Sequence, residues 1–299
     1  MKPTSRHYVA LVLMGAIWGI TPILGKIVMS AGHRPFGILL WTVVLAAVLS
    51  GAATYARGKR LPIRWDVFPL YLGISLLGQV IPHWMTYTAV GELPAGIVSI
   101  LLAVVPMFAL PIALGLKLEN FNVIRFIGIL VGAISVVMIV APDTSLPDPT
   151  KAGFVLLVLV AALAYGGEGN YLIWYGNKGL DSMQILFGSS IISLIIVVPL
   201  TLMTGQMISP FQIWDSTHYL IVFSGLISWA TYVSYIWLIG QAGPVFASQV
   251  AYLVTAFGVG WSMLILAETY SIWIWMAFVL MMVGISLVQP RESKRRTAT

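Results

Sequence analysis

Glu168 stands deep in an apolar run, within Tyr165-Gly166-Gly167-Glu168-Gly169-Asn170-Tyr171. An ionisable side chain near the middle of a membrane-crossing helix costs roughly 2.5–3.5 kcal/mol on insertion scales, so it needs a cavity or a partner to face. A carboxylate there can neutralise a substrate ammonium, or take up a proton when desolvation favours its neutral form. The alternative is structural, with the carboxylate accepting hydrogen bonds from buried hydroxyls or amides. Three glycines weaken the helix at this point and predict that it loosens, leaving backbone groups for a ligand. Lys26 is the second intramembrane charge. It lies near the outer end of its run, where its stem either snorkels to the headgroups or serves gating or coupling together with Glu168. By the helical rise, Lys26 stands ~27 Å above the start of its span and Glu168 ~10 Å above the same face, so no direct pair is expected.

Gln79, His83 and Tyr87 recur every four residues and so share one helical face, with Pro82 beside them as a kink site. A histidine changes charge near physiological pH, which makes His83 a candidate ligand or proton carrier as well as a candidate packing residue. Ser228, Thr231, Tyr232 and Tyr235 continue the pattern further along, followed by Gln249 and Tyr252. Such stripes offer hydrogen bonds and ring faces to an amphipathic small molecule, and they serve helix packing equally well. Trp18 and Trp84 are candidates for the same cavity, whereas Trp41, Trp214, Trp273 and Trp275 read as interfacial or lipid-facing anchors. The pairs Gly15 with Gly19 and Gly128 with Gly132 read as close helix contacts.

The elements carrying these residues belong in a bilayer. With 59% hydrophobic and 9% charged residues, the 299-residue chain could not bury its apolar surface in a water-soluble core. Ten apolar stretches are long enough to cross ~30 Å of hydrocarbon. They fall near 8–29, 36–56, 67–90, 94–116, 121–141, 152–175, 183–204, 217–239, 244–266 and 271–289. The first exceeds a signal-peptide core and is expected to stay attached. With an amino terminus on the cytoplasmic side, 13 of the 16 Lys and Arg fall on that side, including Arg57, Lys59, Arg60, Arg64, Lys117 and Arg125. This bias places both termini in the cytoplasm. The net charge of +6 then reflects topology and a basic tail, 291–299, at the membrane surface rather than nucleic-acid binding.

Glu119 and Glu268 each close a long apolar run, at the ends of Pro106–Glu119 and Thr255–Glu268, and each is followed by another. This internal repeat divides the chain into 1–142 and 152–290, with the proline-rich segment 142–151 as the linker. Five spans per half is an odd number, so the second copy enters the membrane inverted, and alternating access follows from that arrangement. The fold expected is all-α, with ten transmembrane helices in two inverted five-helix repeats. Cysteine is absent, and no metalloprotease, nucleophile-turn or Walker motif is present, so no enzyme, metal site, cofactor or direct ATP use is expected.

Gly15-Ala16-Ile17-Trp18-Gly19 with Gly25-Lys26, and the run ending at Glu119 with Gly128 beyond it, resemble the EamA-type branch of the drug/metabolite transporter superfamily. In the second half Tyr165-Gly166 and Glu268 echo this pattern, while Thr255 replaces Pro106 and Ala277 replaces Gly128; Trp41 stands where many relatives carry an arginine. The resemblance implies a secondary transporter of a bacterial cytoplasmic (inner) membrane that exports small metabolites, with amino acids as the leading class. A small-molecule substrate, membrane lipids and, as a candidate coupling ion, protons are the partners implied. A lipid flippase would use the same machinery, and a channel is the further alternative.

Overall fold

The computed structural model describes residues 4–141, 146, 148–211, 213–242, 244–247 and 249–288. The basic tail and most of the linker lie outside these residues. The described chain is helical, with no strand. Its elements are α1 (Ser5–Gly19), α2 (Thr21–Ser30), α3 (Pro35–Ala56), α4 (Phe68–Ile74), a π-helical turn (Ser75–Val80), α5 (Ile81–Glu92), α6 (Ala95–Leu102) and α7 (Val105–Gly115). Then follow α8 (Val123–Val140), a 3-10 turn (Pro149–Ala152), α9 (Gly153–Tyr175), α10 (Ser182–Met203), α11 (Ser216–Ala242), α12 (Pro244–Ala247), α13 (Val250–Leu266) and α14 (Ile272–Val288).

Several of these helices are pieces of longer rods, and proline explains where the rods break. Pro22, Pro82 and Pro106 each occupy the second position of the helix that resumes after a break. A proline there has no amide to bond back, so the preceding backbone tightens or widens instead. Before Pro82 it widens, and the Ile81 amide bonds back to the Leu76 carbonyl to close a π turn. Elsewhere the ends are capped. The Asn122 side chain accepts from the Ile124 and Arg125 amides at the start of α8, and Asp181 forms a reciprocal capping box with Gln184 at the start of α10.

Among the described residues, six helices or helix pairs are long and apolar enough to cross a membrane, including Ser5–Ser30, Pro35–Ala56 and Ser182–Met203, and the shorter Val250–Leu266 and Ile272–Val288 are also apolar. Large apolar side chains such as Val12, Leu130, Val137, Leu264 and Val279 face outward, as a lipid-contacting surface requires. Inside, α14 packs on α8, α10 on α3, and α1 on α13. Glycine permits the closest of these contacts. A Cβ at Gly128 would lie 2.8 Å from the Gly284 carbonyl oxygen, and one at Gly15 would lie 2.3 Å from Leu253 Cβ.

One expectation is corrected here. The glycines around Glu168 do not loosen their helix, since α9 runs unbroken from Gly153 to Tyr175. The irregular backbone lies opposite, in the π turn, because proline removes a hydrogen-bond donor whereas glycine only weakens a helix that packing can hold.

Candidate functional site

A cavity of about 710 Å³ lies among α1, α3, α5, α7, α9, α11 and α13 and draws walls from both halves of the chain. Glu168 and Tyr165 enter it from α9, His83 and Tyr87 from α5, Gln79 from the π turn, Trp18 from α1, and Ser228, Tyr232 and Tyr235 from α11. Asn170 also reaches its wall.

These residues divide by how their polar atoms are satisfied. The Gln79 amide donates to Ser189 Oγ at 2.8 Å and accepts from Ser190 Oγ at 3.2 Å, so it is held by two serines of α10. Asn170 Nδ2 donates to the Ala109 and Gly166 carbonyls, fixing α9 to α7. Tyr87 and Thr42 share a hydrogen bond of 3.2 Å. His83 Nδ1 lies 2.8 Å from the Gln79 carbonyl. A carbonyl only accepts, so the proton sits on Nδ1 and the neutral ring keeps Nε2 as an acceptor. The His83 ring stands 6.0 Å from that of Tyr87 and 6.2 Å from that of Tyr165, and Trp18 stands 6.1 Å from Tyr235, both pairs with Tyr165 and Tyr235 edge-to-face.

Glu168 differs from the hydrogen-bonded residues among them and is the charged one. Among the described residues its carboxylate has neither a hydrogen bond nor an ion pair, and it lies against Gly78 in the π turn, where an added Cβ would sit 2.3 Å from Oε1. The glycine that matters for this carboxylate is therefore on the facing helix. Thr86, one turn from His83 and on the same face, also reaches the cavity, and its buried hydroxyl has no partner among the described residues. Its i+3 spacing from His83 was the available signal. Nothing in the sequence marked Thr42, or the serines of α10 that hold Gln79.

Three sequence candidates do not line the cavity. Trp84 is exposed and stacks on Phe36 at 5.5 Å, because it lies one residue, about 100° of helical turn, from His83. On α13 the cavity face is Val250, Ala251, Val254 and Thr255. That register leaves Gln249 exposed and turns Tyr252 toward the core formed around α6 and α7. Trp41, read as an interfacial or lipid-facing anchor, donates its indole NH to the Ile208 carbonyl at 3.0 Å.

Lys26 lies outside this cavity. Its Nζ donates to the Gly91 and Leu93 carbonyls at 3.0 and 3.1 Å, at the carboxyl end of α5. Beside it, the Glu268 carboxylate accepts from the Ala95 and Gly96 amides at 2.8 and 3.1 Å and from the Tyr270 hydroxyl. A cation thus meets a helix carboxyl terminus and an anion meets a helix amino terminus, each the favoured sign. Lys26 and Glu268 border a separate cavity of about 200 Å³ with Glu92, Pro94 and Lys151. At the opposite end, Glu119 pairs with Arg125, whose Nε donates to the Val288 carbonyl at 2.8 Å, and this pair borders the large cavity.

Two apolar repeats enclosing one central cavity, with matched glutamates at opposite ends, match a known pattern. The profile of the EamA-like transporter family covers residues 6–141 and again 153–289. The chain belongs to the EamA-like transporter family. It is a multi-pass membrane transporter of the drug/metabolite kind, a family of transporters rather than enzymes. A solved structure, titled only as the crystal structure of a protein, aligns over 96% of this chain and 98% of its own, with 15% identity and a TM-score of 0.63. That likeness concerns the fold. No curated protein matches the chain. In the EamA frame, the cavity is the space between the two matched repeats.

Proposed function

We propose that this EamA-like protein is a secondary transporter that exports small amphipathic metabolites, with amino acids as the leading substrate class. The observation that carries this reading is the Glu168 carboxylate, unpaired among the described residues, facing a cavity whose walls include Tyr165, Tyr232, Tyr235, Trp18 and His83. A carboxylate suits an ammonium group and aromatic faces suit both a cation and an apolar side chain. His83 Nε2 and the Thr86 hydroxyl supply further hydrogen bonds at the same wall. The volume of about 710 Å³ falls within the ~300–1,000 Å³ of small-molecule sites.

Transport by alternating access gives each end a role. With ten spans, inverted repeats and both termini cytoplasmic, the Glu119–Arg125 end faces the cytoplasm and the Glu268–Lys26 end faces outward. The large cavity extends to the former, while the latter holds the 91–96 turn closed, an inward-facing state. Glu168 or His83 is the group able to carry a coupling proton.

The test is flux of labelled amino acids into proteoliposomes containing purified protein, at several pH values. Glu168→Gln keeps the shape and removes the charge. Transport of ammonium-bearing substrates is expected to fall by at least tenfold, or to lose its pH dependence. Wild-type flux with an unchanged pH profile would remove Glu168 from this role. Flux of fluorescent lipid without flux of amino acids would favour a flippase.

A further inference from the structure

We infer that His33, Asp215 and His218 form a binding site for a divalent transition metal of the zinc class, at the junction of the α2–α3 and α10–α11 connections. Each of the three offers a ligand atom, and these atoms lie within 4.8 Å of one another. His33 comes from the first repeat, Asp215 and His218 from the second, so the cluster is assembled only by the fold. The site rests on its own geometry and would stand whatever the transporter carries.

The three residues satisfy one another through Thr217. His33 Nε2 lies 2.7 Å from Thr217 Oγ1, which donates to Asp215 Oδ1 at 2.7 Å, and His218 Nδ1 lies 2.7 Å from the same oxygen. Asp215 Oδ1 also accepts from the Thr217 and His218 amides at the start of α11. Helix capping alone accounts for Asp215 and His218. It does not account for His33, which arrives from the other repeat with its ring edge-on to His218 at 4.6 Å.

The ligand chemistry fits a borderline metal. Two imidazoles, a carboxylate and no thiolate suit zinc, with water in the fourth position. Tetrahedral bonds of ~2.0–2.1 Å put ligand atoms ~3.4 Å apart, so the widest pair must close by about 1.4 Å, within reach of side-chain rotation. The protonation states also suit it. Burial, and the neighbouring His218, hold His33 below the usual histidine range against the opposing pull of Asp215. The Thr217 hydroxyl and His218 hold the Asp215 carboxyl well below the usual carboxylate range. A neutral imidazole and an ionised carboxylate are the forms that bind a metal. The ring of His218 is kept in place by Trp214, stacked at 5.6 Å, which in turn packs edge-on against Trp41 at 5.0 Å.

The experiment is zinc titration of the full-length, tag-free protein in detergent, followed by calorimetry. The chain has four histidines and no cysteine, so background binding through imidazole is limited to His7 and His83. One zinc per chain is expected, and His33→Ala should weaken binding by about 10–100-fold, as should His218→Ala, whereas His7→Gln should bind like the wild type. Because His33 has no part in capping α11, His33→Ala should fold normally, which its melting temperature without zinc checks. No zinc binding by the wild type, or undiminished binding by folded His33→Ala, overturns the site.

Discussion

Glu119 and Glu268 occupy the same place in the two repeats, and the structure uses them differently. The offset between them, 149 residues, aligns the segments around them and exposes the reason. Around Glu268 stand Tyr270 and Ser262, whose hydroxyls lie 2.6 Å apart and lead to its carboxylate; at the corresponding positions of the first repeat are Phe121 and Ala113, with no hydroxyl. Arg125, which pairs with Glu119, corresponds to Ile274. Even the seats differ. Glu268 accepts from the amides of Ala95 and Gly96, and the position matching Ala95 is Pro244, which has no amide to donate. Glu268 is therefore equipped to dock on backbone donors of the other repeat, whereas Glu119 is equipped to hold an arginine beside it. The lesson is that two matched repeats need not build their matched glutamates into equal settings.

The largest effect is expected on breaking that seat. Glu268→Gln removes the charge that strengthens three hydrogen bonds, and hydrogen bonds to charged groups contribute about 1.5–3 kcal/mol each. Even one such loss shifts the balance between closed and open at this end by ~10–100-fold. Ser99, one turn inside α6 and at the wall of the large cavity, can report it. In this cysteine-free chain, Ser99→Cys should resist a water-soluble thiol reagent added from outside, and should react at least tenfold faster when Glu268→Gln is added. Glu119→Gln should not accelerate it. Equal acceleration by both would mean that the two glutamates are equivalent after all.

How much of this was legible in the sequence depends on the length scale of the cause. The apolar runs, the repeat and the two matched glutamates are local patterns, and Glu168 stood out because carboxylates are rare in such runs. The stripe Gln79, His83, Tyr87 was legible as a face, yet its three members do different work. Gln79 is tied to α10 by serines more than 100 residues away, and that pairing leaves no mark on the spacing. The unbroken α9 was misread because glycine propensity is a weak prior that packing against α7 overrides. Lys26 was open between snorkelling and coupling; its partners are carbonyls of α5, and backbone acceptors carry no sequence signature at all. Trp84, Gln249 and Tyr252 missed the cavity for a simpler reason, since residue type was right and rotation about the helix axis was not.

A smaller change should make the second seat resemble the first. Tyr270→Phe gives position 270 the side chain of its counterpart Phe121 and removes one donor to Glu268, while the Ala95 and Gly96 amides remain. A single hydrogen bond of this kind contributes about 0.5–1.5 kcal/mol. External reactivity of Ser99→Cys should therefore rise about 2–10-fold, less than with Glu268→Gln. An effect as large as that of Glu268→Gln would move the latch from the backbone amides to the tyrosine.

The smallest effect is expected at Lys151, and it tests whether charge near the seat matters without contact. Lys151 Nζ pairs with Glu92 at 3.0 Å, both about 40% exposed, at the border of the same small cavity as Lys26 and Glu268. Exposed pairs of this kind contribute little because water and salt screen them. The Glu92 carboxylate raises the affinity of Lys151 for its proton above the ordinary value of 10.5. For a lysine so shifted, the contribution of the pair is complete below about 10.5 and is lost only as pH rises through the still higher folded value. Across pH 6–8 it should thus be constant. Lys151→Met should leave Ser99→Cys reactivity within about twofold of the parent at every pH in that range, and should remain so as salt is raised. A tenfold rise, shrinking with salt, would show that the seat of Glu268 is held by the field of the surrounding charges, and the contrast with Glu119 would then rest on charge placement rather than on the backbone amides of α6.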